Sequence, residues 1–209
     1  MYYYPPLTMA RPSTHDTDAI LDATRAVLFD GGAGAVTIKA IAGASGAPVG
    51  TLYHRFGSRD DLVARLWLRA VHRSQQQFLA ALAAPGDPID AGVAAALTLF
   101  DFAREHPGDA RLLTALRRED LAAAPRDPNV LQQLETLNDP LRAALKTLTQ
   151  RLYGRATKPH LERTALACVD LPYGAIRRTL IGGQTPSPAL RAPLARAVRA
   201  ALTDDQETP

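Results

Sequence analysis

Cysteine is nearly missing from this sequence: Cys168 stands alone among 209 residues. No intramolecular disulfide can form, and no Cys/His cluster has zinc-ligand spacing. Aromatic residues make up only 6% of the chain and a single tryptophan is present. No apolar run approaches the roughly 20 residues that span a bilayer, and the first residues do not join a basic segment to an apolar core. The expectation is a cytoplasmic chain with no membrane partner. Alternation of β-branched with polar residues is almost absent while Ala, Leu and Arg abound, so the chain reads as all-α. Catalytic signatures are missing too: there is no Gly-x-Ser-x-Gly, phosphate-binding glycine loop or His-Glu-x-x-His. Gly31-Gly32-Ala33-Gly34 follows a helical stretch rather than a strand, and His72, His106 and His160 are scattered without metal spacing. Neither enzyme activity, cofactor nor metal is expected. Charge is weakly informative, because 24 basic against 21 acidic residues leave a net +3, which permits polyanion binding without requiring it. A hydrophobic content of 46% supports a well-buried core in one domain or two small ones.

What is present is organised around residues 37–62. Thr37 can cap a helix whose Ile38, Ile41 and Ala42 share one face, and the stretch from Gly43 to Gly46 ends it. Pro48 suits the first turn of a second helix, in which Leu52 and Phe56 fall four apart on one side. The opposite side carries Val49, Gly50, Thr51, Tyr53 and His54. A short helix with a small, polar outer face, held at a sharp angle by the helix before it, has the geometry that enters a DNA major groove.

The run Gly50-Thr-Leu-Tyr-His-Arg-Phe-Gly-Ser-Arg-Asp-Asp-Leu62 resembles the DNA-binding signature of the TetR family of bacterial transcriptional repressors, and the likeness covers about the first third of the chain. Pro48 stands where that family usually has Ser, and Val49 where it often has a polar or basic residue. The resemblance implies an N-terminal three-helix helix-turn-helix domain joined by a long helix to a C-terminal helical domain for ligand binding and dimerisation. It also implies a homodimer on a palindromic double-stranded DNA operator, released by a small-molecule effector.

In order along the chain, residues 1–15 read as an extended arm with an aromatic start, and Met9 is a candidate natural initiator. Residues 16–60 form the helix-turn-helix domain, opened by a helix capped at Asp16 or Thr17 and striped by Ile20, Ala23, Thr24, Val27 and Leu28. On that resemblance, residues 61–204 are expected to form the ligand-binding and dimerisation domain, and 205–209 read as a polar tail. Ser58 to Asp61 is a capping pattern that starts a helix reaching about Leu82. Leu62 and Leu66 are expected to face the head, and Val63, Trp67, Ala70, Val71, Phe78 and Leu82 the second half. Further helices are expected from Pro88 to about Glu105, through Leu112 to Leu116, and along the leucine stripe from Leu131 to Leu152, with a kink or break at 137–139 caused by Pro140. Ala122 to Asp127 reads as a loop. The last two long helices, 161–182 and the one after Pro188, carry small residues (Ala165, Ala167, Gly174, Ala175, Ala195 and Ala197) that suit close approach of a second copy or of their own neighbours.

Hydroxyl, phenol, guanidinium and ammonium groups donate to phosphate oxygens, so Thr37, Tyr53, Arg59 and Lys39 are candidate backbone contacts. Val49, Gly50, Thr51 and His54 are candidates for the groove, Val49 and Thr51 against a thymine methyl, with Pro48 near the sugar-phosphate wall. Effector candidates are Trp67, Val71, Ser74, Phe78, Phe100, His106, Leu113, Leu116, Leu137, Leu141 and Tyr173, an apolar set with few polar groups, as ligand pockets are. The same residues also suit an ordinary core. A second reading stays open beside the regulator: a helical ligand- or partner-binding protein whose head, altered at Pro48 and Val49, no longer prefers one DNA sequence.

Overall fold

In the computed structural model, which describes residues 16–124 and 127–203, every regular element is helical. The chain begins at α1 (Thr17–Gly31), with Ile20, Leu21, Thr24 and Leu28 buried along one face. Gly31 and Gly32 end it for two separate steric reasons. A Cβ at Gly31 would lie 2.4 Å from the Cβ of Ala35, and Gly32 has φ +75°, a conformation that side chains disfavour. A short 3₁₀ turn, Ala33–Ala35, leads into α2 (Ile38–Ser45). Gly46, in the left-handed region, then turns the chain into α3 (Val49–Phe56).

The lever α4 (Arg59–Ala83) has 25 residues, a length of about 37 Å at 1.5 Å per residue. Ser58 caps it by accepting from the Asp61 N–H at 3.0 Å. After it come α5 (Pro88–Glu105), α6 (Pro107–Ala115) and a short α7 (Arg118–Ala122) that sequence periodicity does not announce. The leucine stripe is divided into α8 (Pro128–Thr136) and α9 (Asp139–Tyr153), a break just before Pro140, whose missing N–H cannot continue the ladder. Two helices, α10 (Lys158–Ala165) and α11 (Leu171–Ile181), are fused by a π turn at Leu166–Asp170. There the Leu171 N–H reaches back to Leu166 O, and the widened turn admits Pro172 without ending the helix. A 3₁₀ turn, Pro188–Leu190, precedes α12 (Arg191–Thr203). The arm 1–15, Pro125 and the tail 205–209 lie outside the described residues.

Two buried clusters divide the molecule. The first gathers Ile20, Ile41, Leu52, Phe56, Leu62 and Leu66 with Leu112, Leu121, Val130, Leu134 and Leu137. The second joins Phe78 and Leu82 to Phe100, Phe102, Leu148, Ile176, Val198 and Leu202. The division falls inside α4, not at its start. Val63, Trp67, Ala70 and Val71 share the head-side cluster with Leu112, Leu121, Val130 and Leu134 of the second half, because α6, α7 and α8 fold back onto the N-terminal part of α4. In the second cluster α5 approaches α12 so closely that a Cβ on Gly92 would lie 2.7 Å from Leu202 Cδ1.

Candidate nucleic-acid interface

The head is built so that α3 is fixed from beneath and open above. Leu52 and Phe56 are buried in the head-side cluster where α3 meets α2 and α4, while Val49 and Tyr53 are 43% and 53% exposed. Gly50 and His54 share the open face and Thr51 is half-buried beside them. Pro48 is the residue before the helix and supplies no side-chain cap. The first N–H groups of α3 therefore have no side-chain acceptor of that kind, which suits them to phosphate oxygens.

The turn before α3 is held by Ser45, whose hydroxyl donates to Ile41 O at 2.7 Å and accepts from the Ala47 N–H at 3.2 Å. Thr37 caps α2 by accepting from the Ala40 N–H at 3.1 Å. Its hydroxyl proton stays available, since a hydroxyl both accepts and donates. Lys39, two residues on, is exposed.

Arg59, a candidate phosphate contact, is also bonded within the head. Its Nε donates to Val36 O and its Nη2 to Ala33 O, each at 2.9 Å, and its Nη1 pairs with Asp60. All three nitrogens are engaged inside the head, where they clamp the turn between α1 and α2 onto α4. Arg55, which sequence periodicity did not single out, reaches the Thr17 hydroxyl at 3.4 Å and so joins the end of α3 to the start of α1.

Charge fixes the head to the lever. Arg69 on α4 holds Asp18 and Asp22 of α1 at 2.7 and 2.6 Å. The Arg69 hydrogen bond keeps the Asp18 carboxyl below its ordinary 3.8, against the opposing effect of burial. Asp109 on α6 pairs with Arg25 of α1 and with Arg73 of α4. The signal was present in the sequence: acids four apart on α1 and arginines at 65, 69 and 73 on α4 are complementary stripes at helical spacing.

Among the described residues, the expected effector candidates are spread over both buried clusters. Trp67 and Val71 lie in the head-side cluster and Phe78 and Phe100 in the other, with Leu113 packed against both and Leu141 against the second. Ser74 is half-buried and His106 is exposed, its ring 5.2 Å from Phe102. Leu137 lines an open cleft with His72, Gln75 and Pro140, and Leu116 lines a separate groove between α1, α6 and α11. Tyr173, at 38% exposure, is on the outer side of α11. The dispersal follows from α4 crossing both cores, which a helical stripe read alone cannot reveal. The Trp67 indole N–H is buried with no acceptor among the described residues. Burial raises the Cys168 thiol to about 12, and no group of three or more His, Cys, Asp or Glu among the described residues is placed to hold a metal. No helix of the described residues is long and apolar enough to cross a membrane.

Residues 20–66 match the family model described as bacterial regulatory proteins, tetR family. The fold is similar to that of a TetR family transcription regulator from Marinobacter aquaeolei VT8, with a TM-score of 0.67 at 19% identity over 88% of this chain and 94% of that one. It is also similar to a TetR-like transcriptional regulator from Rhodococcus sp. RHA1, with a TM-score of 0.66 at 18% identity over 93% and 96% of the two chains. A putative transcriptional regulator from Pseudomonas aeruginosa PAO1 gives a TM-score of 0.69 at 19% identity over 89% of each chain. No curated protein is significantly similar.

Proposed function

We infer that this chain, a TetR-family transcriptional regulator by the match over its head and by its fold, represses transcription by occupying a near-palindromic operator as a homodimer and leaves it when a small molecule binds. The observation that carries the reading is α3: Leu52 and Phe56 anchor it, and Val49, Gly50, Thr51, Tyr53 and His54 stand on its open side. That face suits groove contacts, with Val49 and Thr51 against thymine methyls and His54 toward a base edge. Thr37, Lys39 and Tyr53 would set register on phosphates, with Pro48 beside the backbone.

The dimer reading is supported by an apolar outer face on α11 and α12. Leu171, Gly174, Ala175, Leu190, Pro193 and Ala197 line it, and Gly174, Ala175 and Ala197 are exposed small residues that let a second copy approach closely. Ala167, by contrast, is fully buried within its own chain. Release by a ligand follows if the ligand biases one arrangement of α4 over another. Selection of bound fragments from genomic DNA tests the reading. Enrichment of one palindromic sequence supports it, and salt-dependent binding without sequence preference supports a degenerate head instead.

A further inference from the structure

A groove of about 440 Å³ runs along the seam between head and body. Its walls come from three places: Leu28 and Phe29 on α1 with Gly32 and Ala33 just after it, Arg111, Thr114 and Ala115 on α6 with Leu116 just after it, and Leu180 and Ile181 at the end of α11. Leu28 belongs to the head-side core and Leu180 to the other, so the groove is where the two cores part. It is apolar apart from two side chains. Ile181 stands 56% exposed at one wall. Arg111 lies over the Phe29 ring, 4.4 Å from its centroid.

Arg111 is unusual among the arginines that join helices here. Arg25, Arg69, Arg73, Arg191 and Arg199 each hold a carboxylate, whereas the Arg111 guanidinium has the Phe29 face and no hydrogen-bond or ion-pair partner among the described residues. The ring contact holds the guanidinium at the groove without using its N–H donors, and a guanidinium with free donors favours a carboxylate. No acidic residue lines the groove. An apolar trough with one oriented cation and a volume in the usual small-ligand range has the features of a built site.

We propose that this groove binds an amphipathic organic acid, its apolar body against Leu28, Leu116, Leu180 and Ile181 and its carboxylate on Arg111. The site is separate from the core-facing residues of α4 and α5. Because its walls belong to head and body together, an occupant touches α1, α6 and α11 at once. At the other contact of the same two helices, Arg25 pairs with Asp109. A ligand that binds better to one spacing of α1 and α6 than to another biases α1, and α3 with it, relative to α4. The effect on DNA rests on the regulator reading above; the binding itself does not.

Decanoate, below its micelle concentration, is the probe for titration calorimetry on the full chain, with decanol and decylamine as controls of equal length. Decanoate should bind about tenfold more tightly than decanol, the worth of one charged hydrogen-bonded contact at a partly exposed site, and decylamine should bind more weakly than either. Arg111→Gln should remove the advantage of decanoate over decanol while leaving decanol unchanged. Ala115→Trp, which fills the trough, should abolish binding of both, and a thermal melt establishes that each variant is folded. Absence of decanoate binding, equal affinity for Arg111→Gln, or full binding by Ala115→Trp overturns the site. If decanoate binds as described but leaves the affinity for selected DNA unaltered, the site stands and its regulatory consequence is refuted.

Discussion

Asp109 on α6 accepts from Arg25 of α1 and from Arg73 of α4, and with 1% of its side chain exposed it joins three helices through one carboxylate. It also sits in the first turn of α6, where negative charge is favoured by the helix dipole. Asp109→Asn preserves shape and removes the charge both arginines need. The loss should be about 2 kcal/mol, below the 3–5 kcal/mol of a fully buried pair because both arginines keep solvent access. Chemical denaturation measures it, and an unchanged midpoint would show that the carboxylate is not what holds head to body.

Leu52 and Tyr53 are neighbours on α3 with opposite surroundings, one fully buried and the other half exposed. Tyr53→Ala should leave thermal stability within about 0.5 kcal/mol, as surface changes do, while weakening DNA binding at least tenfold. Leu52→Ala should cost about 3 kcal/mol through the cavity it leaves and weaken DNA binding as a consequence. A fully active Tyr53→Ala variant would remove the outer face of α3 from the interface.

Arg59 and Lys39 separate two kinds of basic residue in the head. Arg59→Gln removes donors to Val36 O and Ala33 O and should cost about 1–2 kcal/mol of stability without changing the salt dependence of DNA binding. Lys39→Ala should leave stability alone and lower the slope of log affinity against log salt by about one, the signature of one lost phosphate contact. Salt titrations of both variants decide the assignment, and the reverse pattern contradicts it.

Cys168 is enclosed by α5, and its thiol faces Gly92 O at 3.8 Å. With the thiol raised to about 12 from an ordinary 9.0, a thiol reagent at pH 8 should label the native protein slowly and the denatured protein at once. The pH dependence follows from the same shift. Below 9.0 both states hold the proton and the full stability is present. As pH rises past 9.0 the unfolded chain loses its thiol proton first, so stability falls from there toward 12. Rapid labelling of the native form would show that the site opens.

Much of the head is legible in sequence because its determinants are local: the Thr37 and Ser58 caps, the turn at Gly46, and the four-residue spacing of Leu52 and Phe56. Pro88 and Pro128 likewise mark helix starts within one residue. What a stripe of leucines does not encode is its partner. Val63 and Trp67 belong to the head-side core only because α6 to α8 return to α4, a long-range fact. The same limit hid the occupied guanidinium of Arg59, whose acceptors lie 23 and 26 residues earlier, and the groove at Arg111, whose walls come from three separate segments. The π turn around Pro172 was legible as helix but not as a bulge, since the proline fixes a defect without fixing its type.

Selection of genomic fragments by the full chain at moderate salt, followed by footprinting of the enriched DNA, tests the central claim most directly. The account predicts one enriched near-palindrome, protected over two half-sites whose centres lie about 34 Å or a little more apart, one turn of the duplex, with protection lost in Tyr53→Ala. Enrichment no better than that of random DNA, or protection unaffected by Tyr53→Ala, would contradict it.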